Sequence, residues 1–314
     1  MAAEPSASLP DEVRAACAWV AERAEAVRVE EGAIEECARG LPAAGDLGSP
    51  DPEAQPLEGD REARAAFAIC LNAINFGSGW WPTIRKRPGL SGYRTIAAGV
   101  TERFRDLGAW APGELTRIHA ADIAEVVGQG PDHPLMPRFA ASLRDVGTRV
   151  LADHEGRFEA VVDAAAGSAV ALAGILASWE AFADVSLYME RPVPFFKRAQ
   201  LAAADVDRAG IASFPDSRCL TAFADNLVPH VLRVDGVLRL DRNLKDAIEA
   251  GEPLAHGTAP EVELRACAVH AVELLAAATG GRLSPPEIDA ALWNRGRAPR
   301  YKAIPRPRSR NTAY

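Results

Sequence analysis

The amino-acid sequence predicts an all-α fold. Apolar residues recur every three or four positions through most of the 314-residue chain, which is the spacing of one face of a helix. The clearest case is residues 261–278, where Val262, Ala266 and Val269 fall on one side. One stretch, residues 231–240, departs from this spacing, because its apolar and polar residues alternate as they do in a β-strand.

Proline and glycine mark where several predicted helices begin and end. Pro10 and Asp11 suit a helix start, and Gly251 suits the position just after a helix end. After the first helix, which begins at Pro10, the predicted helices span residues 27–38, 61–74, 93–107, 112–127, 134–151, 158–182, 196–206, 229–233, 243–250, 261–278 and 285–294. No repeat or linker is visible, so we expect one compact unit, residues 1–314, with an exposed loop at 45–59 and a basic tail at 295–314.

Residues 231–240 fit two structures. Their apolar and polar residues alternate around Asp235 and Gly236, as in a β-hairpin. Pro229 instead suits the first turn of a helix, which Gly236 would end. The residues alone leave both structures open.

The composition argues against several classes of protein. A net charge of −8 and a pI of about 5.4 do not suit a nucleic-acid-binding surface, which needs clustered positive charge. The N-terminal residues lack the basic and apolar regions of a signal peptide, and the most apolar run, residues 164–177, is too short to span a bilayer. The five cysteines are odd in number and widely separated, which favours free thiols in a reducing compartment over disulfides. We therefore expect a cytoplasmic protein without a membrane or nucleic-acid partner, and its oligomeric state stays open.

Standard motifs of phosphate and metal chemistry are absent from the sequence. It has no P-loop, no dinucleotide fingerprint, no HExxH and no GxSxG. The six histidines lack helical pairing and a nearby cysteine, so we expect no metal and no cofactor. Gly77-Ser78-Gly79 fits a turn that orients Trp80 and Trp81 better than it fits a phosphate cradle.

Asp225 is the main candidate for a catalytic group. It follows Phe223 and precedes a helix that begins near Val228, because the residue before Pro229 avoids the α region. A carboxylate there meets unpaired backbone amides and the positive end of the helix dipole. In that place it can stabilise an oxocarbenium ion as an N-glycosidic bond breaks, or activate the attacking water. The alternative is an ordinary helix-capping aspartate.

Two basic residues, Lys197 and Arg198, are candidates for binding a phosphate. They follow two phenylalanines at the start of a predicted helix, where adjacent cations suit an anion. The alternative is a basic pair on a solvated helix face. Five further basic residues between 300 and 310 form a tail that is either solvated or folded back over an anionic ligand.

Aromatic and amide side chains suggest a pocket for a planar base. Trp80 and Trp81 offer flat faces, and Asn75 offers an amide to read a base edge. Asp289 and Asn294 flank a tryptophan on a predicted helix and offer two more polar groups. The alternative for each aromatic residue is the protein core.

The order of several motifs resembles the queuosine salvage family. The motifs are LNAINFGSGWWP, SGYRTIAAGV, MPRFAASLRDVG, FFKRAQLAAADV, TAFADNLVPHVL, EVELRACAVHAVELL, IDAALWN and PRSRNTAY. The resemblance extends over most of the chain, and the FADxxVP and EVELRA segments are its most specific parts. It favours a helix and a turn over a hairpin in residues 231–240.

This resemblance implies a fold, an activity and roles for individual residues. The family is all-helical, is similar to helix-hairpin-helix DNA glycosylases, and hydrolyses queuosine 5'-phosphate to release the free base. Asp225 matches its catalytic aspartate, and Phe223 matches the aromatic residue that lines the base. Lys197 matches the lysine of its KRAQ segment, and Asp289 matches an acid that contacts the base.

The chain departs from the family pattern around the base. It has Asn226 and Leu227 where the family has Tyr-Arg, Ala290 and Asn294 where it has tyrosine and a second acid, and Pro307 where it has histidine. We expect retained hydrolysis of queuosine 5'-phosphate or a related 7-deazapurine nucleotide. The alternatives are an altered base preference, or a nucleotide-binding protein without catalysis. DNA-glycosylase activity is disfavoured by the acidic composition.

Overall fold

A computed structural model describes residues 7–43, 45 and 59–314. Helices predominate and the strands are short, which confirms the predicted helical fold. The predicted exposed loop at 45–59 lies outside the described residues except for its two end glycines, Gly45 and Gly59, and both of these are exposed.

The helices follow the predicted order closely. In the described part of the chain the α-helices are α1 (Leu9–Ala21), α2 (Glu31–Arg39), α3 (Arg61–Ala73), α4 (Gly92–Leu107), α5 (Pro112–Leu115), α6 (Ala120–Val126), α7 (Leu135–Asp153), α8 (Phe158–Ala164), α9 (Ala169–Ala177), α10 (Lys197–Arg208), α11 (Leu227–Val234), α12 (Arg242–Glu249), α13 (Ala259–Ala278), α14 (Pro285–Arg295) and α15 (Pro299–Lys302).

Four short strands form two antiparallel pairs. The strands are β1 (Val27–Val29), β2 (Val185–Tyr188), β3 (Arg191–Pro194) and β4 (Leu238–Leu240). β1 pairs with β4, and β2 pairs with β3.

Three predicted helices are interrupted in the structure, and those boundaries were wrong. The one predicted at 27–38 begins as β1, because its alternating valines pair with β4 before α2 starts. The one at 158–182 is split between α8 and α9, where Gly167 adopts a φ of 80° and Ser168 caps α9. The one at 112–127 is split into α5 and α6, with a new cap at His119.

Residues 231–240 form a helix followed by a turn, as favoured above. α11 ends at Val234, and Gly236 takes a left-handed φ of 79°. The hairpin alternative is wrong, because β4 pairs with the distant β1 instead of folding back on residues 231–234.

The chain divides into two compact units, each made of three separate segments. The first unit contains Met1–Gly48, Asp184–Lys197 and Arg218–Ser309. The second contains Ser49–Ala183, Arg198–Ser217 and Arg310–Tyr314. Because the segments alternate along the chain, no single linker marks the division in the sequence. The expectation of one unit stays a prediction.

The first unit is built around α13. This helix contacts α1, α2, α11 and α14, and it is buried on more sides than its predicted apolar stripe. Glu263 and Arg265 are both buried in it, and buried charges need partners. The Glu263 carboxylate accepts hydrogen bonds from the Ala26 and Val27 amides, at 2.7 and 3.1 Å, and so fixes the start of β1.

The second unit packs α3 to α9 around aromatic residues. The Phe104 ring lies edge-on to both Phe67 and Trp110, with ring centroids 5.2 and 5.1 Å apart. α4 approaches α6 closely at Gly99, where a Cβ atom would lie 2.4 Å from the Val126 carbonyl oxygen. None of the helices in the described residues is by itself long and apolar enough to cross a membrane, although the bent pair α8–α9 meets that test jointly.

His230 is buried in α11 as a neutral imidazole. Its Nε2 lies 2.9 Å from the Tyr301 carbonyl oxygen, and it must carry a proton to donate there. Its Nδ1 has no hydrogen-bond partner among the described residues. Burial lowers the pKa of His230, the bond to Tyr301 opposes this, and the Arg233 and Arg306 guanidiniums lower it further.

This histidine predicts a loss of stability in acid. Its pKa is lower in the folded than in the unfolded chain, so the unfolded chain binds more protons below about pH 6.5. We expect His230 to reduce the free energy of unfolding below that pH, by at most about 1.4 kcal/mol per pH unit. Denaturant unfolding at several pH values, compared between wild type and His230→Gln, measures this contribution. The exposed His256, changed to Gln, is the control, and an equal pH slope in all three proteins would contradict the prediction.

Candidate active site

Asp225 lies in the loop directly before α11, in the first unit. Its Oδ1 accepts hydrogen bonds from the Leu227 and Val228 amides, at 2.6 and 3.2 Å. Oδ2 has no hydrogen bond to any described residue, and the side chain is half-buried. One oxygen is therefore fixed by the first turn of the helix, and the other is available to a ligand.

Asp289 anchors the same loop from α14. Its Oδ1 accepts a hydrogen bond of 2.9 Å from the Phe223 amide, and both residues are buried. The structure thus brings together Phe223, Asp225 and Asp289, which the sequence predicted as site residues. Asp289 acts here at least on the backbone of the loop, two residues before Asp225.

A buried ion pair connects this loop to the start of α10. The Arg265 guanidinium donates to both carboxylate oxygens of Asp184, at 2.9 and 2.8 Å, and each side chain is 1% exposed. The same guanidinium donates through Nε to the Ala224 carbonyl oxygen, at 3.1 Å. The residue that holds Ala224, next to Asp225, is therefore itself held by Asp184.

Asp184 also positions Lys197. Its Oδ2 accepts the Lys197 amide hydrogen at 3.0 Å, and its backbone oxygen accepts that of Phe195, also at 3.0 Å. Phe196 between them adopts a left-handed φ of 48°, which is unfavourable for a bulky side chain. The Arg265 guanidinium lies 3.9 Å from the centroid of the Phe195 ring. Asp184 therefore fixes the backbone at Phe195 and Lys197, and the Lys197 side chain is buried.

Sequence reasoning missed Asp184 and Arg265. Arg265 carries a signal, since it is a cation within the apolar pattern of residues 261–278 and within the EVELRA segment. Asp184 carries none, because its role depends on a partner 81 positions away.

Asn294 lies at the other end of α14, half-buried, and its Oδ1 is 3.4 Å from a guanidinium nitrogen of Arg297. The contact of Asn294 with a base stays a prediction. A surface cleft of about 460 Å³ in the first unit is lined by Cys37, Asp235 and Arg295 among others, and by none of the predicted site residues.

Four predicted site residues belong to the second unit. Arg198 is buried, and its guanidinium donates to the carbonyl oxygens of Ala73, Thr312 and Ala313, at 2.6, 2.7 and 3.1 Å. These contacts give Arg198 a structural role in holding the last residues of the chain.

The other three, Asn75, Trp80 and Trp81, follow α3. Both tryptophans are buried, Trp81 against Gly92, and Asn75 is half-buried with its amide 3.5 Å from the Asn72 side chain. Gly77 takes a φ of 92°, as the predicted turn requires. Burial favours the core alternative for the tryptophans within this unit.

The C-terminal segment of the first unit is not a free tail. The Pro305 carbonyl oxygen accepts a bond of 2.7 Å from Arg233, and the Arg308 carbonyl oxygen accepts one of 2.8 Å from the Leu254 amide. Arg306 between them is half-buried. Burial lowers the pKa of Arg306, the neighbouring Arg308 guanidinium lowers it further, and the Asp225 carboxylate raises it. Arg306, which was predicted only as a tail residue, therefore lies within electrostatic range of Asp225.

The Asp184–Arg265 pair predicts a strong effect on stability. Arg265→Met leaves the buried Asp184 carboxylate without its cation, and we expect the free energy of unfolding to fall by about 3–5 kcal/mol. Chemical denaturation measures the change. The matched control is Arg239→Met, because the Arg239–Glu30 pair is exposed and should contribute less than about 1 kcal/mol. A loss in Arg265→Met no larger than in the control would contradict the prediction.

Comparisons with known proteins identify the family. The profile of the queuosine salvage protein family matches residues 55–314. Curated proteins named queuosine 5'-phosphate N-glycosylase/hydrolase are similar to this chain. The one from Sphaerobacter thermophilus is 32% identical over 94% of this chain and 95% of its own length. Those from Nematostella vectensis and Dictyostelium discoideum are 28% and 27% identical over 71% and 81% of this chain, and 68% and 79% of their own lengths. The chain belongs to the queuosine salvage protein family, as the motifs had indicated.

Proposed function

We propose that this chain hydrolyses the N-glycosidic bond of queuosine 5'-phosphate, or of a related 7-deazapurine nucleotide, and releases the free base. The names of its relatives support the reaction and the substrate class. The structural observation that supports the proposal is the geometry of the Asp225 carboxylate. Two backbone amides hold its Oδ1, and its Oδ2 is available to a substrate.

Asp225 is proposed as the catalytic residue. The bond between C1' and the base nitrogen breaks, and its electron pair leaves with the base, so positive charge develops on the sugar. A carboxylate beside C1' stabilises this oxocarbenium-like charge and accepts a proton from the water that adds to C1'. The departing base takes up a proton, so that the net reaction is addition of water across the bond. Because two amides and the ion pair behind Ala224 hold the loop, the carboxylate does not need to reorganise during the reaction.

The other residues take supporting roles in this proposal. Phe223 stacks on the base, while Asp289 fixes the Phe223 backbone and, with Asn294, reads the base edge. Lys197 adds positive charge for the 5'-phosphate. Arg198 supports the fold, because its guanidinium is occupied by three carbonyl oxygens.

Further parts of the proposal concern the remaining candidate contacts with the base, the fold and the compartment in which the protein acts. The two tryptophans and Asn75 stay candidates for contact with the base. Similarity of the fold to helix-hairpin-helix glycosylases also stays a prediction. We propose that the protein acts on free nucleotides in the cytoplasm, without a nucleic-acid or membrane partner, since its composition is acidic.

The departures from the family pattern favour one alternative, a nucleotide-binding protein without turnover. Asn226 and Leu227 stand next to Asp225, and both are buried. Incubation of the purified protein with queuosine 5'-phosphate, followed by chromatography for free base, separates the two functions. Binding of the nucleotide without release of base would favour the alternative.

The central prediction concerns Asp225→Asn. Asparagine still accepts the two amide hydrogens, so folding and nucleotide binding should persist. Base release should fall by about 10²–10⁴-fold, as expected for the loss of a general base. The rate of base release and the affinity for the nucleotide are measured on the same preparation.

The matched control for this experiment is Asp241→Asn. Asp241 also caps a helix, with a bond of 2.7 Å from the Leu244 amide, but it is exposed and belongs to α12. Its variant should keep full activity. Undiminished base release by Asp225→Asn would refute the catalytic role.

A further inference from the structure

The hairpin formed by β2 and β3 has an exposed apolar face. Side chains along β2 alternate between buried and exposed, and Val185 and Leu187 are 51% and 62% exposed. Met189, in the turn, is 61% exposed, and Pro192 lies opposite Leu187 on the same face and is also exposed. Single exposed apolar side chains are common, but a contiguous group of them marks an interaction surface.

The hydrogen-bond register of the hairpin leaves the outer edge of β2 open. The Phe195 amide donates to the Asp184 carbonyl oxygen at 3.0 Å, which makes these two residues a hydrogen-bonded pair. Hydrogen-bonded and non-bonded pairs alternate in an antiparallel ladder. Val185 and Leu187 therefore belong to non-bonded pairs, and their backbone N–H and C=O groups point away from β3. Among the described residues, none forms a hydrogen bond with these outward groups.

The two edges of the hairpin differ in what they can bind. On β3 the outward positions are Pro192 and Pro194, and proline has no N–H to donate to a further strand. On β2 the outward positions are Val185 and Leu187, without a proline or a charge. Prolines and charged side chains are the usual protection of an exposed edge, so the β2 edge is unprotected. It suits an extended strand with apolar side chains at alternate positions.

The β2 strand of a second copy meets this requirement. Antiparallel pairing around a two-fold axis at Ser186 places Val185 of each copy opposite Leu187 of the other. In that register every outward N–H and C=O group of Val185 and Leu187 gains a partner, in both copies. The Val185 and Leu187 side chains then contact each other across the strands on the exposed face. The edge is thus complementary to itself in both hydrogen bonding and side chains.

We propose that this protein forms a two-fold symmetric dimer in which the β2 edges of two copies pair. The proposal is independent of the proposed function. The pairing involves few side chains, fewer than an interface of about 800 Å² per partner contains, so we expect a dimer that dissociates on dilution. Because β2 follows directly after Asp184, the pairing also restrains the backbone next to the buried Asp184–Arg265 pair.

The first experiment measures the dimer by analytical ultracentrifugation. Between about 1 and 500 µM, the wild type should change from monomer to dimer. Val185→Lys/Leu187→Lys places like charges directly opposite each other, and we expect the dimer to weaken by about 100-fold or more. Both side chains are exposed, so the monomer should keep its fold, which circular dichroism checks.

The matched control is Leu107→Lys. Leu107 is 73% exposed and belongs to α4, far along the chain from the hairpin, so its variant should dimerise as the wild type does. A wild type that stays monomeric throughout the concentration range would overturn the proposal. So would a double variant that dimerises as strongly as the wild type.

The second experiment locates the interface by hydrogen exchange of single amides, measured by NMR. The outward amides of Val185 and Leu187 are open to water in the monomer and bonded in the dimer, so their exchange should slow by about 10-fold or more as the concentration rises. Rapid exchange of both amides in a wild-type dimer would place the interface elsewhere and overturn the proposal. Protection that appears only after an extended foreign peptide is added to a monomeric wild type would assign the edge to another protein, and would likewise overturn the pairing of two copies.

Discussion

The buried pair of Asp184 and Arg265 is the interaction on which the candidate site depends. One carboxylate receives both the Arg265 guanidinium and the Lys197 amide, and that guanidinium also binds the Ala224 carbonyl oxygen. Taking two charges out of water is costly, and the pair is tolerated because every contact is short and several are shared. The pair fixes two pieces of backbone with one set of hydrogen bonds, namely the Asp225 loop at Ala224 and the chain at Lys197.

The geometry around Asp225 separates support from chemistry. Oδ1 is held by the first turn of the helix, whereas Oδ2 has no hydrogen bond to any described residue. A helix-capping aspartate and a catalytic aspartate are thus the same residue here. The capping interaction, which was the alternative interpretation of the sequence, provides the rigidity that the proposed reaction needs.

Much of the fold and part of the site could be predicted from the sequence. Helical periodicity and the caps located most helices, and a proline and a loop acid pointed to Asp225. The sequence did not reveal the β1–β4 pair, because its partners lie about 210 positions apart and each strand has three residues. It concealed the role of Asp184 for the same reason, since its partner Arg265 lies 81 positions away. It also gave Arg306 and Arg308 no more weight than other tail residues. Such features depend on contacts between residues that are far apart in the chain, and the local sequence pattern does not show these contacts.

The alternation of chain segments between the two units has a consequence for biosynthesis. α1 packs on α13, so the N-terminal helix emerges from the ribosome some 240 residues before its main partner exists. The Asp184 carboxylate is likewise synthesised 81 residues before its partner Arg265. The first unit therefore cannot complete its core until nearly the whole chain has been translated, and its folding is expected to be slow and post-translational, as for other proteins rich in distant contacts. Nascent chains stalled before α13 should remain dependent on chaperones.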